Sequence, residues 1–172
     1  MPTSFYDLTI GSYVQIVEAI GGVLQKGADH CAKEGIDLAE IVETRLVGNM
    51  ANFHFQVTSI THHSLGAVNA YKSGEFRPPS YEDCDYAALQ AMTQATLDEL
   101  KAQSRDEIES LAGGKVVFKM GGNEIPFTAE NFALSFSLPN FYFHATTAYD
   151  ILRMKGAPIG KLDFLGAMRA GA

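Results

Sequence analysis

Apolar residues return every three or four positions from about Ser4 to about Lys33. Phe5, Leu8, Tyr13, Ile16, Val17, Ile20, Val23 and Leu24 mark one face of a helix. Gly35 supplies a C-terminal stop. Asp37, with Glu40 three residues on, opens a second helix. Its stripe of Ile41, Leu46, Met50, Phe53, Val57, Ile60 and Leu65 carries it to about Lys72, and Gly74, Pro78 and Pro79 end it. Ser80 or Asp83 caps a third helix, on which Leu89, Met92, Thr96, Leu97, Leu100 and Ile108 run to Gly113 and Gly114.

There the period changes. "KVVFKMGGNEIPFT" reads as two short strands around Gly121–Gly122, a small β-hairpin or an extended loop, with Pro126 weakening the second strand. Thr128 opens a short helical piece. Pro139 then sits at the first turn of a last helix, or kinks a continuous one, and that helix ends at Gly156. The tail starts non-helical and brings Leu162, Phe164 and Leu165 back toward the bundle. Four long amphipathic segments predict an all-α four-helix bundle, one domain over residues 1–172, with the hairpin or loop inserted before the last helix. Periodicity alone leaves the helix connectivity open.

Composition narrows the function classes. Hydrophobic residues make up 47% and charged ones 19%, as in a globular chain. The net charge of -7, with no basic cluster, speaks against nucleic acid and against anionic membrane surfaces. No apolar run approaches the length of a membrane span, and the N-terminus lacks the basic n-region of a signal peptide. Cys31 and Cys84 form no CxxC and fit a reducing, cytoplasmic setting. There is no P-loop, dinucleotide fingerprint, GxSxG or HExxH, and no di-iron ExxH pair.

One motif goes further. "LPNFYFHATTAYDILRMKGAPIGKLDFLG", Leu138 to Gly166, resembles the signature region of an uncharacterised bacterial domain family related to the DinB/YfiT-like four-helix bundles. "RLVGNMANFHFQVTSITHHSLGAV", Arg45 to Val68, is similar to that family's second helix. The resemblance implies a fold and a superfamily, not an activity. Many members of the superfamily resemble metalloenzymes, with one histidine on the second helix and an HxxxH pair on the last. Such a set gives three nitrogens around a divalent ion with an open position for water.

This chain departs from that pattern. His144 stands for the first histidine of the last-helix pair, but Ala148 occupies the position four residues on. Asp150 lies about 240° round the helix and does not share the face. His63 is the counterpart on the second helix, so two histidine ligands are expected, His63 and His144, for an ion such as zinc or nickel. The competing expectation makes His144 a buried neutral imidazole with a polar partner and His63 a boundary residue. His62 is expected to face solvent, and His54, nine residues before His63, to lie on the opposite face at an interface or the surface. His30 and Cys31 are adjacent and do not easily face one site together; a full triad needs His30, His54 or an acidic side chain brought in by tertiary structure. Gln56 and Asn140 are the polar residues that would orient a histidine, line the pocket or cap backbone groups. The aromatic group Phe132, Phe136, Phe141, Tyr142, Phe143 and Tyr149 is core, or in part a subunit face.

Two functions follow. The first is a divalent-metal-dependent small-molecule enzyme, of hydrolase or thiol-transfer type, with its pocket between helices two and four. The alternative is a non-catalytic homodimeric binding protein that has lost the metal and takes an apolar small molecule. Absence of a cofactor is weighed equally with a metal, and Ala148 favours the alternative.

Overall fold

The computed structural model describes residues 3–170. α1 (Phe5–Leu8) and α2 (Ile10–Glu34) form the first helical segment. α2 stops at Gly35, whose φ of 69° is the left-handed cap that glycine adopts without strain. The second segment is broken. α3 (Leu38–Glu43) starts at Asp37, whose side chain accepts from the Ala39 N–H; α4 (Phe53–Thr61) starts after nine intervening residues, capped by Asn52. Leu46 and Met50 therefore lie in a connecting loop and not on a helix stripe. A π-helical turn, His62–Gly66, joins α4 to α5 (Ala67–Ser73).

α6 (Tyr86–Lys101), capped by Asp85, makes the third segment, and α7 (Arg105–Ser110) restarts it at Ser104. α8 (Ala129–Phe132) leads through a second π-helical turn, Ala133–Ser137, into α9 (Leu138–Met154), with Pro139 in its first turn. A short α10 (Lys161–Leu165) packs back on α2 with Phe164 against the core, whereas Leu162, expected to fold back with it, is 73% exposed.

The long helices close a bundle. α4 packs on α9, α2 packs on α6, and α2–α9 and α4–α6 contacts complete the ring. The first and second segments thus occupy diagonal corners, which settles the connectivity that periodicity left open. The core runs through Tyr13, Ile20, Leu24, Phe53, Ile60, Leu89, Leu100 and Phe141, all at most 1% exposed. Gly27 permits one close approach. A Cβ there would sit 2.7 Å from the Tyr86 hydroxyl, which donates to the Leu24 carbonyl at 2.8 Å.

β2 (Lys115–Met120) and β3 (Asn123–Thr128) form the expected hairpin, Met120 pairing with Asn123 across a two-residue Gly121–Gly122 turn with both φ values positive. A third strand, β1 (Glu75–Phe76), pairs parallel to β2 and was not foreseen. Pro126 costs the sheet little. Its partner Val117 donates its N–H to the Gly74 carbonyl, away from β3, so no ladder bond is asked of the proline on this edge strand. Among the described residues no helix is long and apolar enough to cross a membrane.

Candidate functional site

α4 and α9 face each other, and their contact sets His63 beside His144. The two rings lie 5.7 Å apart between centroids and within 16° of parallel, each residue 8% exposed. Phe55 and Phe143 flank His144, while Phe76 and Phe136 flank His63. Tyr81 stacks on Phe55 at 4.6 Å and bonds Ser59 through its hydroxyl.

Gln56 decides the state of His144. Its amide nitrogen donates to the Ala51 carbonyl at 3.0 Å, so its amide oxygen is the atom 2.8 Å from His144 Nδ1. That oxygen only accepts, so Nδ1 carries the ring proton and Nε2 keeps its lone pair. Burial lowers the His144 pKa to about 4. His63 is lowered further, to about 3, by burial first and then by its neighbours His62 and His144. Both are neutral at pH 7. The buried Nδ1 of His63 has no hydrogen-bond partner among the described residues.

Below the pair runs a chain of buried hydroxyls. Ser137 Oγ donates to the His63 carbonyl at 2.7 Å. Tyr13 lies 2.7 Å from Ser137 and 3.1 Å from Tyr71. Because Ser137 spends its proton on a carbonyl, Tyr13 donates to Ser137 and Tyr71 to Tyr13. Burial pushes the Tyr13 pKa up to about 12 and raises Tyr71 as well, so the chain is uncharged.

A model described as a domain of unknown function (DUF1993) matches residues 5–165. The chain belongs to the DUF1993 family. No curated protein matches this DUF1993 chain. A crystal structure of a DinB family member protein from Shewanella denitrificans is similar to it, with a TM-score of 0.79 at 26% identity, covering 97% of this chain and 94% of that one. The DUF1993 chain is thus a mostly helical DinB-like bundle carrying a small three-stranded sheet.

The side chains do not compose the three-nitrogen metal site that the superfamily resemblance implies. No group of three or more His, Cys, Asp or Glu among the described residues is placed to hold an ion. Ala148, 1% exposed, fills the position of the missing histidine.

The remaining sequence candidates go elsewhere. Asn140 donates its amide to the Phe136 carbonyl at 2.7 Å on its own helical segment. His62 is not simply solvent-facing: its Nε2 bonds the Arg77 carbonyl at 2.8 Å and its ring stacks on Phe76 at 4.4 Å. His54 is 7% exposed, with Nε2 3.4 Å from Cys84 Sγ, so the expectation of an interface or surface position gives way to a buried one. His30 reaches the Lys155 carbonyl at the end of α9. Both cysteines are free. Sequence reasoning missed Ser137, Tyr13 and Tyr71 as a connected set; hydroxyls on three separate apolar stripes give no local signal.

Proposed function

We propose that this DUF1993 chain is a small-molecule binding protein whose site, between α4 and α9, works through neutral imidazoles and without the superfamily's metal. The observation that carries this is the Gln56–His144 contact, which leaves His144 Nε2 as an acceptor inside an aromatic surround. An imidazole held near pKa 4 is poorly matched to general-base work at neutral pH, where the effective base titrates close to the operating pH. It serves well as a hydrogen-bond acceptor. The ligand class is an apolar molecule carrying one O–H or N–H donor, its body against Phe55, Phe136 and Phe143. The reading includes a second copy of the chain. Tyr142 and Phe143, 40% and 55% exposed on α9, are the apolar surface that copy would cover, checked by sedimentation.

The test is zinc and nickel titration of the tag-free protein, beside a thermal-shift screen of apolar alcohols, phenols and amines. Ligand-induced stabilisation lost in His144→Phe, with no stoichiometric metal, is the expected result. Stoichiometric metal that disappears in the His63→Ala/His144→Ala double variant would overturn the reading and restore the metalloenzyme. A screen without a stabilising compound would overturn the binding role.

A further inference from the structure

A cavity is lined by His62 and not by the histidine pair. It is a groove of about 780 Å³ between the α4–α5 segment, α6 and the chain from Glu75 to Ser80, and neither His63, His144 nor Gln56 lines it. Its size is that of a small-molecule site.

Its walls have a consistent chemistry. Thr58, Thr96 and Asn69 line it, with His62 and Phe76 between them. Thr96 is 4% exposed and lines the groove. Thr58 Oγ1 is buried without a partner among the described residues. Buried hydroxyls of this kind are normally satisfied by protein, water or a ligand. His62 adds a fixed acceptor. Its Nε2 donates to the Arg77 carbonyl, which leaves the lone pair on Nδ1. Gly66 keeps the space beside that atom open, since a Cβ there would stand 3.1 Å from it.

Charge is balanced at the rim. Arg77 pairs with Glu75, which also holds Lys119 at 2.6 Å. The groove therefore has no uncommitted cation to hold a phosphate and no isolated carboxylate to hold an amine. What it offers is neutral donors and acceptors beside the rings of Pro78 and Pro79. We propose that this groove binds a neutral polyhydroxylated molecule of saccharide size, its hydroxyls on Thr58, Thr96, Asn69 and His62 and one C–H face on the rings of Pro78 and Pro79. This site is independent of the one between α4 and α9.

The experiment is saturation-transfer NMR on the full chain with a panel of neutral mono- and disaccharides, with glucose 6-phosphate and glucosamine as charged counterparts. Asn69→Trp fills the groove from an exposed position, Thr96→Val removes a buried hydroxyl at constant shape, and His144→Phe leaves the groove intact. The expected result is saturable binding of at least one neutral sugar, weakened about tenfold or more by Asn69→Trp and several-fold by Thr96→Val, and unchanged in His144→Phe. No saturable binding by any neutral sugar would overturn the proposal. So would binding unaffected by both groove variants, or tighter binding of a charged sugar than of its neutral parent. Unchanged binding in His144→Phe keeps this result separate from the fate of the α4–α9 site.

Discussion

Gln56→Leu is the sharpest test of the His144 assignment. The substitution keeps the shape of the side chain and removes two hydrogen bonds, His144 Nδ1–H to Gln56 and Gln56 to the Ala51 carbonyl. Ala51 is half-buried, so water takes over its carbonyl at little cost. His144 is 8% exposed and has no such relief at Nδ1. A lost buried hydrogen bond is worth about 1 kcal/mol, and an orphaned buried donor costs about 1–3 kcal/mol more. The imidazole recovers part of that by moving its proton to Nε2, so the expected loss is about 2–3 kcal/mol in urea unfolding at neutral pH. Two readouts follow. The ¹⁵N shifts of His144 show the proton on Nδ1 in the wild-type protein and on Nε2 in the variant. In a double-mutant cycle, Gln56→Leu/His144→Leu is less destabilised than the sum of the single variants by about 1–2 kcal/mol, because no orphan remains. A wild-type His144 protonated on Nε2, or a cycle additive to within about 0.5 kcal/mol, would refute the reasoning.

The pH dependence has a defined sign. His144 and His63 are depressed to about 4 and about 3 in the fold, from 6.5 in the open chain, so the unfolded state takes up protons first as pH falls. Their stabilisation is intact above pH 6.5 and is lost progressively down to about pH 4 and 3, about 2 kcal/mol for each by pH 5. Urea midpoints between about pH 5 and 7 should slope steeply in the wild-type protein and flatten in His63→Phe/His144→Phe; parallel slopes would contradict the assignment. Ser137→Ala orphans the buried His63 carbonyl and is expected to cost about 1–3 kcal/mol, whereas Tyr71→Phe, at the donor end of the chain, costs about 1 kcal/mol. Equal losses by chemical denaturation would reverse the direction assigned to that chain. Native thiol titration should find Cys84 slow, its pKa raised by burial, Asp85 and Asp83, and Cys31 silent at 1% exposure. Asp83→Asn should speed Cys84, and an unchanged rate would remove Asp83 from the account.

Each helix face was legible because apolar periodicity reports burial directly, and the Leu138–Gly166 motif carried the superfamily. The breaks were less legible. Reading one helix from Asp37 to Lys72 passed over Asn52, whose side chain caps Phe55 N–H and restarts the helix after a loop in which Arg45 holds the Met50 carbonyl. Ser104 with Glu107 three residues on was the same kind of signal, and α7 begins there. β1 had no such signal. It is two residues long, and its partner Val117–Phe118 lies some forty residues away, so only the tertiary fold makes it a strand. At the site, residue types pointed to His63, His144 and Gln56, but the bond between Gln56 and His144 spans 88 positions and no spacing rule anticipates it.

The two π-helical turns set the register in which the adjacent histidines, already about 100° apart on a helix, meet their separate surfaces. A π turn inserts one residue into the α register, rotating the residues after it relative to those before and leaving carbonyls without their regular partners. In the first turn this sends His62 to Arg77 and the groove, while His63 turns to His144. The mispaired backbone is then answered from the facing helix: Ser137, the last residue of the second π turn, donates to the His63 carbonyl, and Tyr13 and Tyr71 complete the bonding beneath it. Neither turn is an isolated irregularity, because the carbonyl of one is satisfied by a side chain of the other. Straightening one helix into regular α register would move His63 away from His144 and orphan Ser137 inside the core. The position of the histidine pair is therefore fixed by these three buried bonds together with the Gln56–His144 bond, from three helical segments. That explains why an imidazole as costly to bury as His63 stays where its Nδ1 has no partner among the described residues.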